Sequence, residues 1–203
     1  MLYFRKILMF FAAVSFVLSL SSCDGDDGGG GYSDFQEELI DEINYARTDP
    51  SDYADNRLKS CYDAGTDNGA YTELKSTASM SALELQERLC AASQKYAEFL
   101  ANNNVFGHYE KGTPSERCIA EGYSCYSGEN IAAASSITHN AENDPELAAK
   151  GFVLQWIIDS GVSGVGHRKN ILNSTHTHMG GGFCRDTSSI YYNYAVQDFG
   201  REN

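Results

Sequence analysis

The amino-acid sequence predicts an α+β domain, an antiparallel sheet covered by helices. Two observations carry this: apolar residues recur at helical spacing in segments between residues 33 and 159, and glycine, aromatic and β-branched residues gather between residues 179 and 199. Ser33 followed by Gln36 reads as a capping box, and Phe35, Leu39, Ile43 and Ala46 then share one helical face until Pro50 stops the run. Residues 49–80 show no clear period and are expected to be irregular. Ser81 with Glu84 forms a second capping box. It opens the longest predicted helix, on which Leu85, Leu89, Ala92, Tyr96 and Phe99 share a face up to Asn102-Asn103-Asn104. Residues 128–134 read as a strand. Asp144 before Pro145 is an N-cap followed by proline at the first helical position, and Ala148, Phe152, Trp156 and Ile157 line the apolar side of that third helix. Residues 179–184 and 190–199 are predicted to pair as an antiparallel hairpin around a turn at 185–189.

The first 22 residues stand apart from this domain. Arg5 and Lys6 precede an apolar stretch of 14 residues from Ile7 to Leu20, short of the roughly 20 that a permanent membrane span needs, which marks residues 1–22 as a signal peptide. Leu20-Ser21-Ser22-Cys23 resembles the bacterial lipobox, and that resemblance implies a lipidated Cys23 and attachment to the membrane through it. Residues 23–32 form an acidic, glycine-rich tether, and residues 33–203 form a single domain, expected to be a monomer. The acidic run resembles surface-export signals of some Gram-negative lipoproteins, or is a plain spacer. The expected location is therefore the bacterial cell envelope, at the outer membrane or cell surface. The formal net charge of −13 becomes −15 once Arg5 and Lys6 are set aside, which excludes nucleic acid as a natural partner and disfavours direct adsorption to anionic lipid.

Four residues stand out as carriers of chemistry. His108, in Phe106-Gly107-His108-Tyr109, and His167, in Gly166-His167-Arg168, occupy glycine-flanked contexts that read as loops. Glu129 lies inside Gly128-Glu129-Asn130. Asp159 comes three residues after Trp156 and seven after Phe152, at about the helical angle of the buried face, where a carboxylate needs a cation, a donor or a metal. Meeting in one cleft, two imidazoles and two carboxylates could hold a divalent metal such as zinc, with His108 and His167 as the ligands, or act as acid and base. No HExxH segment supports a local zinc motif. His176 and His178 alternate and are expected to be exposed, a secondary metal site being the alternative. His139 receives no role. Asn173-Ser174-Thr175 matches the glycosylation sequon, which a bacterial lipoprotein would not use through the eukaryotic pathway.

The order of segments is more specific than any one of them. Ile43-Asn44-Tyr45-Ala46-Arg47, Gly107-His108-Tyr109, Gly128-Glu129-Asn130-Ile131-Ala132, Trp156, Gly166-His167-Arg168-Lys169-Asn170-Ile171-Leu172 and Tyr194-Ala195-Val196-Gln197-Asp198-Phe199-Gly200 follow one another. Together, over roughly residues 35 to 200, they resemble bacterial SCP-like domains of the CAP superfamily, the cysteine-rich secretory, antigen 5 and pathogenesis-related proteins. The resemblance implies an α-β-α sandwich with an open cleft lined by two histidines and two acids, which fall on His108, Glu129, Asp159 and His167. Asp159 departs from the pattern, since eukaryotic members carry glutamate there and many bacterial ones serine. The family's glutamine-containing strand after the second histidine is replaced by the Arg168 to Leu172 segment.

Beside Cys23, the chain holds Cys61, Cys90, Cys118, Cys125 and Cys184, an odd number that allows at most two bridges, with Cys118 and Cys125 as the first choice because they flank a short turn. Three functions are then open. One is an extracellular binding module whose cleft takes a small-molecule, lipid or peptide ligand, with or without a metal. A second is a metal- or histidine-dependent hydrolase such as a peptidase, in which Glu129 moves a proton, or, less directly, Ser160 or Ser163 acts as nucleophile near His167. The third is a surface interaction protein working through exposed loops, above all residues 49–80.

Overall fold

The computed structural model describes residues 32–201. Residues 1–31, on which the expected signal peptide, Cys23 and most of the expected tether fall, lie outside the described residues, as do Glu202 and Asn203. In chain order the elements are α1 (Asp34–Thr48), α2 (Pro50–Tyr53), a π-helical turn (Ala54–Leu58), α3 (Lys59–Asp63), α4 (Ala70–Ser76), β1 (Glu84–Leu85), α5 (Glu87–Asn103), α6 (Pro114–Ala120), β2 (Tyr126–Ala134), a 3-10 turn (Ile137–His139), α7 (Pro145–Ile158), α8 (Gly166–Ile171), β3 (His178–Arg185) and β4 (Asn193–Gly200).

The strands run β1-β3-β4-β2 across the sheet. β3 and β4 pair antiparallel with Met179 opposite Phe199, and β4 pairs antiparallel with β2, placing Glu129 opposite Asp198 and Asn130 opposite Gln197. β1 pairs parallel with β3, so the sheet is mixed rather than wholly antiparallel. Helices cover both faces. On one side Phe35, Leu39 and Ile43 of α1 meet Phe152 and Trp156 of α7 over Ala132, Ala195 and Phe199. On the other, Tyr96, Ala97 and Leu100 of α5 pack on Ile131, Tyr194 and Val196. The result is an α-β-α sandwich.

Both the first capping box and the Asp144-Pro145 start form as expected: Ser33 and Gln36 cap each other across α1, and the Asp144 side chain accepts from the Leu147 N–H. The second box does not form. Glu84 lies in β1, where the N–H groups of Glu84 and Gln86 donate to Thr177 and Met179 of the incoming chain, and Gln86 caps a helix that starts at Glu87. Strand pairing at this point satisfies backbone groups that a longer helix would have left facing β3. Residues 49–80 are not irregular either. Asp49 caps α2 with Pro50 at its first position, the same signature as Asp144-Pro145, and Tyr53, Ala54, Leu58, Ala70 and Leu74 are fully buried along the run.

Cys61, Cys90, Cys118 and Cys125 are free thiols, so the expected Cys118–Cys125 bridge is not made. Cys118 is buried in α6 against Leu89, Ala92 and Tyr123, and burial pushes its thiol well above the usual range.

Candidate functional site

The first half of the site is assembled by α5, α6 and the edge strand β2. The loop after α5 leaves through Asn104 in the left-handed region at φ 52°, a conformation asparagine tolerates. Tyr96 then pins the loop, its hydroxyl donating to the Gly107 carbonyl and accepting from the Glu110 N–H. His108 is thereby held over β2, where its Nδ1 lies 2.7 Å from Glu129 Oε1. The Glu129 side chain is 1% exposed, against 37% for His108. Arg117 of α6 engages the other carboxylate oxygen, Oε2, through Nη2. Its Nη1 donates to the carbonyls of His108 at 3.0 Å and Gly112 at 2.9 Å, and its guanidinium lies 3.4 Å above the Tyr96 ring centre.

The second half is built where α7 turns into α8. Asp159 is not on the helix but is its C-cap, at φ 54°. Its carboxylate reaches forward to the start of α8, accepting from the N–H of His167 at 2.9 Å and of Arg168 at 3.4 Å, and lies 2.7 Å from His167 Nδ1. The carboxylate expected from its spacing to need a donor therefore has three, two of them backbone groups of a helix N-terminus. His167 is not a loop residue: it occupies the first turn of α8. Arg168, buried, donates to Ile157 and Asn68 carbonyls and pairs with Glu73 at 3.0 Å, anchoring α8 to α7 and α4.

An amide network joins the halves. Asn170 donates to Asn130 Oδ1 at 2.9 Å and to the Glu129 carbonyl at 3.1 Å, and Asn130 donates to Gln197 Oε1 at 3.0 Å and to the His167 carbonyl at 3.3 Å. The segments that carry the family resemblance are thus tied to one another by their own side chains. The outcome is that the His108 and His167 rings face each other with centroids 6.3 Å apart and planes at 32°. All four expected residues meet, as two histidine–acid pairs.

Each Nδ1 is directed at a buried carboxylate and so donates to it, which makes Nε2 the lone pair of a neutral ring. Among the described residues neither Nε2 has a hydrogen-bond partner. The carboxylates are occupied, Glu129 by His108 and Arg117, Asp159 by His167 and α8. For a metal this leaves two imidazole nitrogens as ligands with the acids behind them as orienting partners. In keeping with that, no group of three or more histidine, cysteine or acidic side chains suited to a metal exists among the described residues. No hydrogen bond joins His167 to Ser160 or Ser163.

His167 and Asp159 also open on a cavity of about 670 Å³, lined by Ile131, Leu154, Trp156 and Ile158 and by His139. His139 packs edge-on against Phe152 with centroids 4.8 Å apart, and burial pushes its imidazole below the usual range. His176, expected to be exposed, is buried against Phe199, and burial, with Arg47 beside it, brings its imidazole down to about 4. It lies away from the cleft.

Sequence reasoning missed Arg117, Asn170, His139 and Asp198. A signal existed for the first: Thr113, Pro114 and Glu116 form a capping box with proline at the first helical position, which places Arg117 on α6. Asp198 is fully buried opposite Glu129, one oxygen accepting from Ser93 Oγ at 2.8 Å and the other without a hydrogen-bond partner.

No curated protein matches the sequence. Among solved structures, BmVAL-1 is similar over 87% of this chain and 81% of its own, with 18% identity and a TM-score of 0.52. An extracellular protein containing a SCP domain from Bacillus anthracis is 18% identical over 86% of this chain with a TM-score of 0.49, and this chain spans only 45% of that one. An outer surface protein from Borrelia burgdorferi is 20% identical, with 72% of this chain and 93% of that one covered and a TM-score of 0.46. The model of the cysteine-rich secretory protein family, CAP, matches residues 40–199, from the middle of α1 to the end of β4, and the chain belongs to that family.

Proposed function

We propose that this CAP-domain protein is an exported binding module, held at the cell envelope through lipidated Cys23, whose cleft takes a small apolar or peptide ligand and has room for a divalent metal on His108 and His167. The observation that supports this is the facing pair of imidazoles, one of which, His167, also lines a largely apolar cavity of about 670 Å³, a volume within the range of ligand sites. A ligand with an apolar body and a donor group finds both features within one imidazole's reach, because His167 belongs to the cavity wall as well as to the pair.

The hydrolase reading asks Glu129 to move a proton. Its two oxygens are taken by His108 and Arg117 and its side chain is 1% exposed, so it reaches no water without breaking an ion pair. That geometry favours binding. A divalent metal would sit on the two Nε2 atoms, completed by water or ligand oxygen, and would supply electrophilic attraction for that oxygen. The acids would keep both rings in the required tautomer.

Two measurements test the reading on the purified protein. Zinc added to metal-free protein is expected to bind at one ion per chain by calorimetry, with His108→Ala and His167→Ala each weakening it at least about tenfold. Leu154→Trp, which fills the cavity wall, is expected to abolish binding of an apolar fluorescent probe while sparing zinc. Loss of neither metal nor probe in these variants would remove the cleft as the binding site.

A further inference from the structure

We propose that Arg117 is the positioning residue of the cleft: its guanidinium fixes the Glu129 carboxylate and the His108 backbone as one unit, and so sets the His108 ring, while His167 is set without it.

Three acceptors and one aromatic face use a single guanidinium. Nη2 holds Glu129 Oε2, Nη1 holds the carbonyls of His108 and Gly112, and the planar face lies 3.4 Å above Tyr96. The side chain is 9% exposed. Because the fork is rigid, the carboxylate cannot rotate without losing one of these bonds. With Oε2 taken, Oε1 is the one carboxylate oxygen left, and it meets His108 Nδ1 at 2.7 Å. The ring is therefore held from its Nδ1 through Glu129 and from its own carbonyl, both by way of Arg117.

Nothing else among the described residues could do this for Glu129. Asp198, across the strand, makes its hydrogen bond with Ser93 and none with the Glu129 carboxylate. Asp159, by contrast, takes two backbone N–H groups of α8 and needs no side-chain cation to face His167. The two imidazoles are thus oriented by different means, one by a removable side chain and one by backbone. A lysine at position 117 would keep the charge, but an ammonium offers neither the planar fork nor the stacking face.

The fold supplies a way to restore the group. A small cavity of about 130 Å³ is lined by Arg117 together with Ala92, Lys95, Tyr96 and Lys111, and Lys95 is exposed with a side chain 60% accessible. An Arg117→Ala side chain would leave a guanidinium-sized space joined to this opening.

The experiment records histidine ring ¹⁵N chemical shifts, which report tautomer, on the metal-free full chain at neutral pH. In the unaltered protein both rings are expected as the Nδ1–H form. In Arg117→Ala, His108 is expected to become a mixture of tautomers while His167 stays unchanged, and Arg117→Lys is expected not to restore it. Guanidinium chloride, far below denaturing concentration, is expected to restore the His108 signal in Arg117→Ala, whereas sodium chloride at equal strength is not. An unchanged His108 tautomer in Arg117→Ala, or in Arg117→Lys should the alanine variant fail to fold, overturns the proposal. So does an equal disturbance of His167, which would mean general loosening. Since no ligand enters the measurement, failure of the binding reading leaves this result intact.

Discussion

Asp198 faces Glu129 across two paired strands with Arg117 as the nearby cation, and Arg117 is already bonded to Glu129. Burial first, and the Glu129 charge second, push its carboxyl up to about 8, so at neutral pH the native state keeps a proton that an unfolded carboxyl gives up near 3.9. Between those two values the folded chain binds the extra proton, and stability falls as pH rises. His176 has the opposite slope. Its imidazole, brought down to about 4, stays neutral in the fold while the unfolded one protonates below about 6.5, so its contribution is complete above that value and is lost on acidification. The two overlap, and only a difference measurement separates them. Asp198→Asn keeps a group able to accept from Ser93 and cannot ionise; its stability relative to the unaltered protein is expected to rise steadily from pH 4 to pH 8 and then level off. Urea midpoints for the two proteins at several pH values check this, and a constant difference would mean that Asp198 is ionised in the fold.

Among the elements, β3 shows how glycine sets the spacing of layers. A Cβ on Gly182 would fall inside the backbone atoms of Ser93 and Gln94 in α5, and one on Gly180 inside Leu89 and Cys90. Gly181 points the other way and would meet the end of the Leu39 side chain at 2.7 Å. Backbone cannot yield as a leucine rotamer can. Gly182→Ala is therefore expected to cost about 3 kcal/mol and Gly181→Ala about 1 kcal/mol, in the range of overpacking. Equal urea midpoints for the two variants would show that α5 can lift from the sheet. Those glycines were legible as marks of a strand, and local signals likewise placed α1, α7, β2 and the hairpin: caps, a proline and a period. What failed was local chemistry outvoted by distant chain. Ser81 and Glu84 carry a good capping box, but residues nearly 100 positions later offer carbonyls to the same backbone, and a pattern within one segment holds no record of that. α8 was invisible for another reason, being six residues, too short to show a period.

At the scale of the whole molecule, the candidate site was legible as a set of residues and illegible as an arrangement. His108, Glu129, Asp159 and His167 could be named, but which acid serves which imidazole depends on α8 docking against β2 through Asn170 and Asn130. That docking has a deeper support in Arg47, fully buried near the end of α1. Its guanidinium donates to the carbonyls of Ser81 at 3.2 Å, Ile171 at 2.6 Å, Asn173 at 2.9 Å and His176 at 3.5 Å, the last three 124 to 129 residues away. Among the described residues its hydrogen-bond partners are all carbonyls, so dipoles rather than an acid offset the charge, and burial pulls its ionisation below the ordinary value. Such a group is costly to bury and more costly to remove, since four inward carbonyls would lose their donor. Arg47→Met, close in volume, is expected to destabilise the protein by about 4 kcal/mol. Arg47→Lys, with three donors on a point charge, is expected to lose roughly half of that. Because Ile171 ends α8, the weakened variant should also lose cleft order before it unfolds: amide exchange at His167 to Ile171 is expected to speed up in Arg47→Lys at denaturant levels where α5 remains protected. Uniform exchange across α5 and α8 would instead make Arg47 a support of the fold at large, with no particular hold on the cleft.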